Sequence, residues 1–320
     1  MTSLLGKTPL QRITLLLTLA EAAIVITVEA ILFHYFASAS ALDDGPSKGV
    51  PIYLMIFILA EVMQCILVWD AIRSQNTIQI LGVVFFHACC FLYSCLQLSQ
   101  IHLAYSNLSS SEQDSASYPP YSRLQASLII VIVVTGLSEL AFLWLSWKLF
   151  QEFGWRIYKK IGADVRKKRM YRAYHILLML LKLDVFFFIG FAVQFMMLVL
   201  KIEDTELPLT IAALPIIILI LLAAVYAVRR EQVHMMFAFM VGLLCAIAYF
   251  LFKTIRIWTD PERKRKYENV KYYLTVFSVI SLLMSLITLL QAIICYRHFG
   301  KGLRPYLLRE GAGLERPDGR

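Results

Sequence analysis

Charged residues are scarce in this sequence. Asp, Glu, Lys and Arg make up only 17% of the 320 residues, whereas hydrophobic residues make up 59%. An ordinary soluble domain has roughly 25% charged residues and about 45–50% apolar ones. The mean hydropathy of +0.67 is far above that of a chain with one buried core. This composition excludes a soluble globular protein.

The sequence also lacks the common motifs of metal, nucleotide and hydrolase sites. Its six histidines show no HxxxH or HExxH spacing, and its six cysteines show no CxxC spacing. No GxSxG motif and no phosphate-binding loop appear. All six cysteines fall inside apolar runs, which argues against a disulfide framework. We therefore expect no metal, no cofactor and no enzymatic activity.

Long apolar runs dominate the chain instead. A hydrocarbon layer of about 30 Å needs about 20 helical residues, and each of eight runs is that long. The runs are 10–36, 51–72, 77–104, 125–150, 174–200, 208–228, 232–257 and 271–296. The longest connections, 105–124 and 151–173, are too short to hold a soluble domain. The sequence predicts one transmembrane domain over 1–320, an all-α polytopic helix bundle of about eight spans.

The distribution of basic residues predicts the orientation of the bundle. With eight spans, one side of the membrane carries 20 Lys and Arg residues and the other side carries 10. Basic residues accumulate on the cytosolic side, so both termini, the tail 297–320 and the basic loop 151–173 are expected there. The loop 258–270 breaks this rule with four consecutive basic residues, which leaves a count of seven spans open. Asn107 starts an Asn-x-Ser sequon on the lumenal side and is a glycosylation candidate.

Ionisable residues inside the spans are the strongest candidates for function. Each costs roughly 2.5–3.5 kcal/mol at the centre of a span, and such residues often mark ion or substrate pathways. They are Glu21, Glu29, Glu61, Glu139, Lys182 and Asp184. Other polar residues recur with them at helical spacing, and His87, Cys90, Ser94 and Gln97 form a further polar stripe in the third span. Such stripes either hold helices together or line a hydrated site, and the sequence leaves both alternatives open.

Lys182 and Asp184 point in different directions. They are two residues apart and therefore about 200° apart around a helix, so they cannot share a partner. We expect Lys182 to pair with a carboxylate of another span. Glu139 of the preceding span is the first candidate, because adjacent antiparallel helices usually pack together.

The basic connection 151–173 is a candidate for lipid binding. Its headgroup candidates are Lys159, Lys160, Arg166, Lys167, Lys168 and Arg169. Basic residues beside a membrane gain about 1 kcal/mol each near anionic lipid. The alternative is that these charges only fix the orientation. The expected partner is the bilayer, including anionic headgroups at the cytosolic face, and not nucleic acid, because the basic residues flank apolar spans.

Several stretches of the second half resemble an uncharacterised family of fungal Golgi apparatus membrane proteins. The most specific stretches are 157–164, 169–172, 182–188 and 190–195. Asp260-Pro261 before the last span and the stretch 299–303 after it extend the resemblance over roughly 150–305. The resemblance implies a multi-pass Golgi membrane protein, and the family has no established activity to carry over.

Two functions are compatible with these features. The one we expect is a non-enzymatic Golgi membrane protein that acts through helix packing and a basic cytosolic surface. The alternative is a proton- or cation-coupled transporter of a small solute that uses the intramembrane carboxylates. The second function predicts that Glu21, Glu61, Glu139 and Lys182 converge on one hydrated site. The sequence specifies no substrate, protein partner or oligomeric state.

Overall fold

The chain folds into α-helices joined by short connections. The structure is a computed structural model, and it describes residues 8–40, 49–106, 120–161, 164–198, 206–259 and 271–301. These ranges contain eight helices and no strand. The helices are α1 (Pro9–Ser40), α2 (Val50–Ser74), α3 (Thr77–Ser106), α4 (Tyr121–Ile161), α5 (Val165–Leu198), α6 (Glu206–Arg230), α7 (Val233–Thr259) and α8 (Lys271–Tyr296). The predicted all-α class is confirmed.

Most of these helices can cross a membrane. Seven helices of the described ranges are long and apolar enough, and α6 is the helix outside this set. α6 has 25 residues and contains Pro215, which removes one backbone donor from the helix interior. The architecture is therefore a polytopic helical membrane bundle, as the apolar runs predicted.

Backbone geometry explains two of the tight connections. α2 ends at Gln75, whose positive φ of 50° allows its N–H to return to the carbonyl of Ala71. The side chain of Asn76 then accepts a 3.0 Å hydrogen bond from the backbone of Ile78 and caps α3. Glu231, with a φ of 52°, occupies the same kind of position between α6 and α7. Such short connections make consecutive helices antiparallel neighbours.

Helices extend into the basic segment 151–173 from both sides. α4 continues as far as Ile161 and α5 begins at Val165, so most of the basic segment is helical. The side chain of Phe153 is fully buried and ties this extension of α4 to the core. Asp164 accepts hydrogen bonds from the backbone N–H groups of Arg166 and Lys167 and so caps α5. The basic residues lower the hydropathy of segment 151–173, but α4 and α5 both extend into it.

The chain divides into two compact units. The first unit is Met1–Lys160 and the second is Ile161–Arg320. In the first unit α1 packs along α2, and α2 packs along α3. In the second unit α8 packs along both α5 and α7. Each unit has its own hydrophobic core, which includes Phe36 and Leu54 in the first and Leu177 and Phe191 in the second.

Candidate functional site

Polar side chains lie inside the first unit while large apolar side chains cover its surface. Glu21, Glu29 and Glu61 are each at most 2% exposed. Leu137 and Leu140 of α4 are 64% and 65% exposed. This distribution is the inverse of a soluble protein and fits a bundle surrounded by lipid. The interior of the first unit is therefore the place to look for chemistry.

His87 is the centre of this polar interior. Its ring is fully buried, its Nε2 lies 2.5 Å from Oε1 of Glu21, and its Nδ1 lies 2.5 Å from Oε2 of Glu139. The Glu21 side chain is 1% exposed and the Glu139 side chain is 14% exposed. One imidazole thus connects three helices, because α1 contributes Glu21, α3 contributes His87 and α4 contributes Glu139. We call these three residues the Glu-His-Glu cluster.

Close packing of α3 and α4 holds the cluster in place. The ring of Phe142 packs against the edge of His87, with ring centroids 4.9 Å apart. Gly136 is one turn before Glu139, and a Cβ atom there would lie 3.0 Å from Cε2 of Phe91. Ser94 and Thr135 join the same two helices with hydroxyl oxygens 3.2 Å apart. The small residue at position 136 lets α4 approach near enough for its carboxylate to reach the imidazole.

The hydrogen-bond geometry of the cluster defines how many protons it can hold. Each ring nitrogen faces a carboxyl oxygen, so one proton must lie on each of the two N···O axes. Two carboxylates and an imidazole with those two protons carry a net charge of −1. Oε2 of Glu21 is buried without a hydrogen-bond partner of good geometry among the described residues, and the hydroxyl of Ser138 also interacts with this carboxyl group. A third proton on that oxygen makes the cluster neutral, and its release restores the negative charge.

Further carboxyl and amide groups surround the cluster. Glu61 on α2 interacts electrostatically with Glu21, Glu29 and His87. Its Oε1 has no hydrogen-bond partner in the described part of the chain, and neither amide atom of Gln64 has one. Glu29 is partly satisfied, because its Oε2 accepts a 2.9 Å hydrogen bond from Gln97. Several buried polar atoms in the interior of the first unit therefore have no hydrogen-bond partner among the described residues.

The sequence identified the carboxylates of the cluster and missed the group that connects them. Glu21 and Glu139 were candidates, and the structure joins them through His87, which was noted only as part of a polar stripe. That stripe was the available signal, since it placed His87 on one face with Ser94 and Gln97. Lys182 belongs to the second unit and Glu139 to the first, so the pairing of these two residues stays a prediction.

The second unit contains a separate buried carboxylate. Asp184 is fully buried, and its Oδ2 accepts a 2.7 Å hydrogen bond from the hydroxyl of Thr288 on α8. Lys253 on α7 is also buried, with Nζ 4.1 Å from the ring centroid of Phe195 and 5.6 Å from that of Tyr249. This cation–π arrangement explains how an ammonium group is held there. Lys253 was not among the candidates from the sequence, because it lies near the end of its apolar run, where basic residues usually flank the membrane.

The basic candidates lie around the start of α5. Arg166 and Arg169 are exposed, and Nζ of Lys167 lies 3.4 Å from Oδ2 of Asp164. The backbone N–H of Lys167, with further help from its side chain and from Arg166, lowers the pKa of the Asp164 carboxyl. Lys168 is partly buried. The side chains of Lys159 and Lys160 lie outside the described residues, as does Asn107.

The histidine at the end of α8 belongs to the same basic surroundings. Burial lowers the pKa of His298, and the charges of Lys301, Arg169 and Arg166 lower it further. Met170, Tyr174, Glu231 and Phe299 line a small cavity beside it. The backbone N–H of Gly300 donates a 2.9 Å hydrogen bond to Glu231, one of the residues that line this cavity.

Metal ligands are not grouped in the part of the chain that the structure describes. No set of three His, Cys, Asp or Glu side chains there is arranged to hold a metal ion. The described cysteines are all free thiols.

These features define the class of protein, a multi-pass α-helical membrane protein with a polar interior. The chain is 31% identical over 307 residues to a UPF0658 Golgi apparatus membrane protein of Schizosaccharomyces pombe, an alignment that covers 90% of this chain and 87% of the relative. The chain belongs to this family of Golgi apparatus membrane proteins, which confirms the resemblance and the Golgi location. The similarity also extends well beyond the region 150–305 that carried the resemblance. No model of a known protein family matches the chain. No solved structure matches it either.

Proposed function

We propose that the protein is a proton-coupled transporter of a small solute in the Golgi membrane, with the Glu-His-Glu cluster as its proton site. The observation that carries this proposal is the fully buried imidazole of His87 between carboxyl groups of two other helices. Ionisable groups are costly in a bilayer interior and are typical of proton relays and transport pathways. A cluster that spans three helices can couple its protonation state to their packing.

The charge of the interior supports a cationic ligand. Glu21, Glu29 and Glu61 are buried and Glu139 is nearly so, while His87 is the basic group among them. No Lys or Arg is buried in the described part of the first unit. An interior with four carboxyl groups and one imidazole is stabilised by taking up protons or other cations. This balance favours proton binding over binding of an anion.

The unpaired polar atoms favour transport over a purely adhesive role. A polar group that only joins helices gains from being fully hydrogen-bonded, and a buried unpaired group costs about 1–3 kcal/mol. Glu61 and Gln64 nevertheless keep buried atoms without a hydrogen-bond partner among the described residues. Water or a polar solute would satisfy these atoms during a transport cycle.

Proton flux in sealed vesicles tests the proposal. The full chain is reconstituted in liposomes, a pH gradient is imposed, and a pH-sensitive dye inside reports proton movement. We expect the wild type to dissipate the gradient faster than empty liposomes, and His87→Gln to remove that difference. His102→Gln is the matched control, because His102 lies on the same helix and is exposed. Equal flux in the His87→Gln and wild-type vesicles would refute the proposed site.

A second function is favoured by the basic surface at the start of α5. Arg166 and Arg169 are exposed beside His298 and Lys301. We propose that this surface binds anionic lipid and that the protein then acts through contacts at the membrane face, without catalysis. Nanodiscs with anionic lipid should raise the melting temperature of the wild type more than that of Arg166→Gln/Arg169→Gln. An equal rise in the melting temperature of both proteins would mean that Arg166 and Arg169 do not bind anionic lipid and only fix the orientation in the membrane.

A further inference from the structure

The second unit has a polar seam of its own, on the face of α8 that packs against α5. Ser281, Ser285 and Thr288 are all fully buried and recur at helical spacing. Thr288 donates to Asp184, and Ser281 lies 3.4 Å from the backbone carbonyl of Phe187. Nearer the end of the same helix, Gln291 donates a 2.8 Å hydrogen bond to the carbonyl of Ala173. Each of these three contacts joins α8 to α5.

The carboxyl group of Asp184 is only half satisfied in this seam. Its Oδ2 accepts from Thr288, whereas its Oδ1 is buried without a hydrogen-bond partner in the described residues. Thr288 is the one described group that interacts with it, and no cationic side chain is among its described partners. Its neighbours on the seam, Ser281 and Ser285, direct their hydroxyl groups to backbone carbonyls. An ionised carboxylate with one bare oxygen in a membrane interior is strongly disfavoured.

We propose that Asp184 and Thr288 form a second proton-binding site, separate from the Glu-His-Glu cluster. The proton is carried on Oδ1, the oxygen without a partner, while Oδ2 remains the carbonyl oxygen that accepts from Thr288. Loss of the proton leaves a negative charge at the contact between α5 and α8. Protonation therefore stabilises the packing of the two helices that Thr288 connects. This inference does not depend on the proposed transport function.

Infrared difference spectra of the full chain in nanodiscs, recorded between acidic and alkaline pH, test the site. A protonated carboxyl group has a carbonyl stretching band well separated from that of a carboxylate. We expect Asp184→Asn to lack one such band of the wild type. Thr288→Val should keep the band but move it to higher frequency, because the carbonyl oxygen loses its hydrogen bond. Ser285→Ala is the matched control on the same face and should leave the band in place, since Ser285 donates to the carbonyl of Ser281.

Two results would overturn the inference. One is an Asp184→Asn spectrum identical to that of the wild type, which would mean that Asp184 does not exchange a proton. The other is a band that Thr288→Val does not shift, which would place the protonated carboxyl elsewhere and can be observed even if Asp184→Asn fails to fold. His87→Gln should retain the Asp184 band, because the two sites are separate. The test of Asp184 can therefore fail while the Glu-His-Glu cluster still binds protons, and the reverse is also true.

Discussion

At the scale of single residues, the imidazole of His87 decides which polar atoms of the first unit are paired. Its two ring nitrogens face Glu21 and Glu139 at 2.5 Å, and all three groups lie in the interior of the bundle. The two N···O axes leave one further oxygen on each glutamate, and Oε2 of Glu21 is the buried one without a hydrogen-bond partner in the described residues, so we expect the exchangeable proton there. A change at position 87 therefore affects both helix packing and proton binding.

Removing the imidazole should destabilise the protein more than removing the whole cluster. His87→Leu leaves two buried carboxyl groups without their partner, and loss of one member of a buried ion pair costs about 3–5 kcal/mol. The triple variant His87→Leu/Glu21→Gln/Glu139→Gln carries no such charges and should melt at a higher temperature than His87→Leu alone. Thermal unfolding in detergent measures both. If the decreases in melting temperature caused by the three single substitutions simply add up in the triple variant, the three residues do not interact as a cluster.

The carboxylates of this cluster could be predicted from the sequence, but their partner could not. Hydropathy is a local property, so an acidic residue in an apolar run is visible without knowledge of the fold. The pairing of Glu21 with His87 depends on how α1 and α3 pack, and the two residues are 66 positions apart. Lys253 was missed for a different reason, because a basic residue near the end of a span looks like a flanking charge.

At the scale of helices, the approach of α4 to α3 depends on the absence of a side chain at Gly136. A Cβ atom there would lie 3.0 Å from the ring of Phe91, which is closer than an ordinary van der Waals contact. The apolar runs predicted both helices, whereas the place of closest approach required the structure. The same limit applies to the end of α4, which lies at Ile161, whereas the apolar run ends at residue 150.

A branched side chain at position 136 should separate these helices. Gly136→Val forces Phe91 to move and shifts Glu139 away from His87, so we expect a lower melting temperature and weaker proton flux in vesicles. Overpacking of this kind costs typically about 1–3 kcal/mol. Gly154→Val is the matched control, because it makes the same change in the same helix with no neighbour within 4 Å. Equal behaviour of the two variants would show that the contact with Phe91 does not position the cluster.

At the scale of the whole molecule, contacts within each unit agree with the predicted topology. In the first unit Gln11 near the start of α1 donates a 2.8 Å hydrogen bond to Glu152 near the end of α4, which places both at one side. In the second unit Glu231 after α6 accepts from Gly300 after α8. Four helices separate the first pair and two separate the second, and an even number of crossings returns the chain to the same side of the membrane. The helix count followed from hydropathy, and the division into two units did not, because it depends on tertiary contacts.

We expect both termini to face the cytosol. This prediction rests on the distribution of Lys and Arg residues, of which 20 lie on that side of the membrane and 10 on the other. A tag on the C-terminal tail should be digested by protease added to sealed Golgi vesicles, and a sequon engineered into 151–173 should remain unmodified. A tag of the same sequence inserted after Asp44 is the control and should be protected. Protection of the tail tag or glycosylation within 151–173 would reverse the orientation.

The protonation of the Glu-His-Glu cluster is the most direct test of this account. Nuclear magnetic resonance of the full chain, with ¹⁵N-labelled histidine and ¹³C-labelled glutamate, reports the imidazole of His87 and the carboxyl group of Glu21 separately. Residues are assigned with His87→Gln and Glu21→Gln. We predict that both N···O axes of His87 keep their protons across the titration, while the carboxyl signal of Glu21 shifts as the third proton leaves. A Glu21 signal that does not change with pH, together with a neutral His87 that has one ring nitrogen free of any hydrogen bond, would contradict the account.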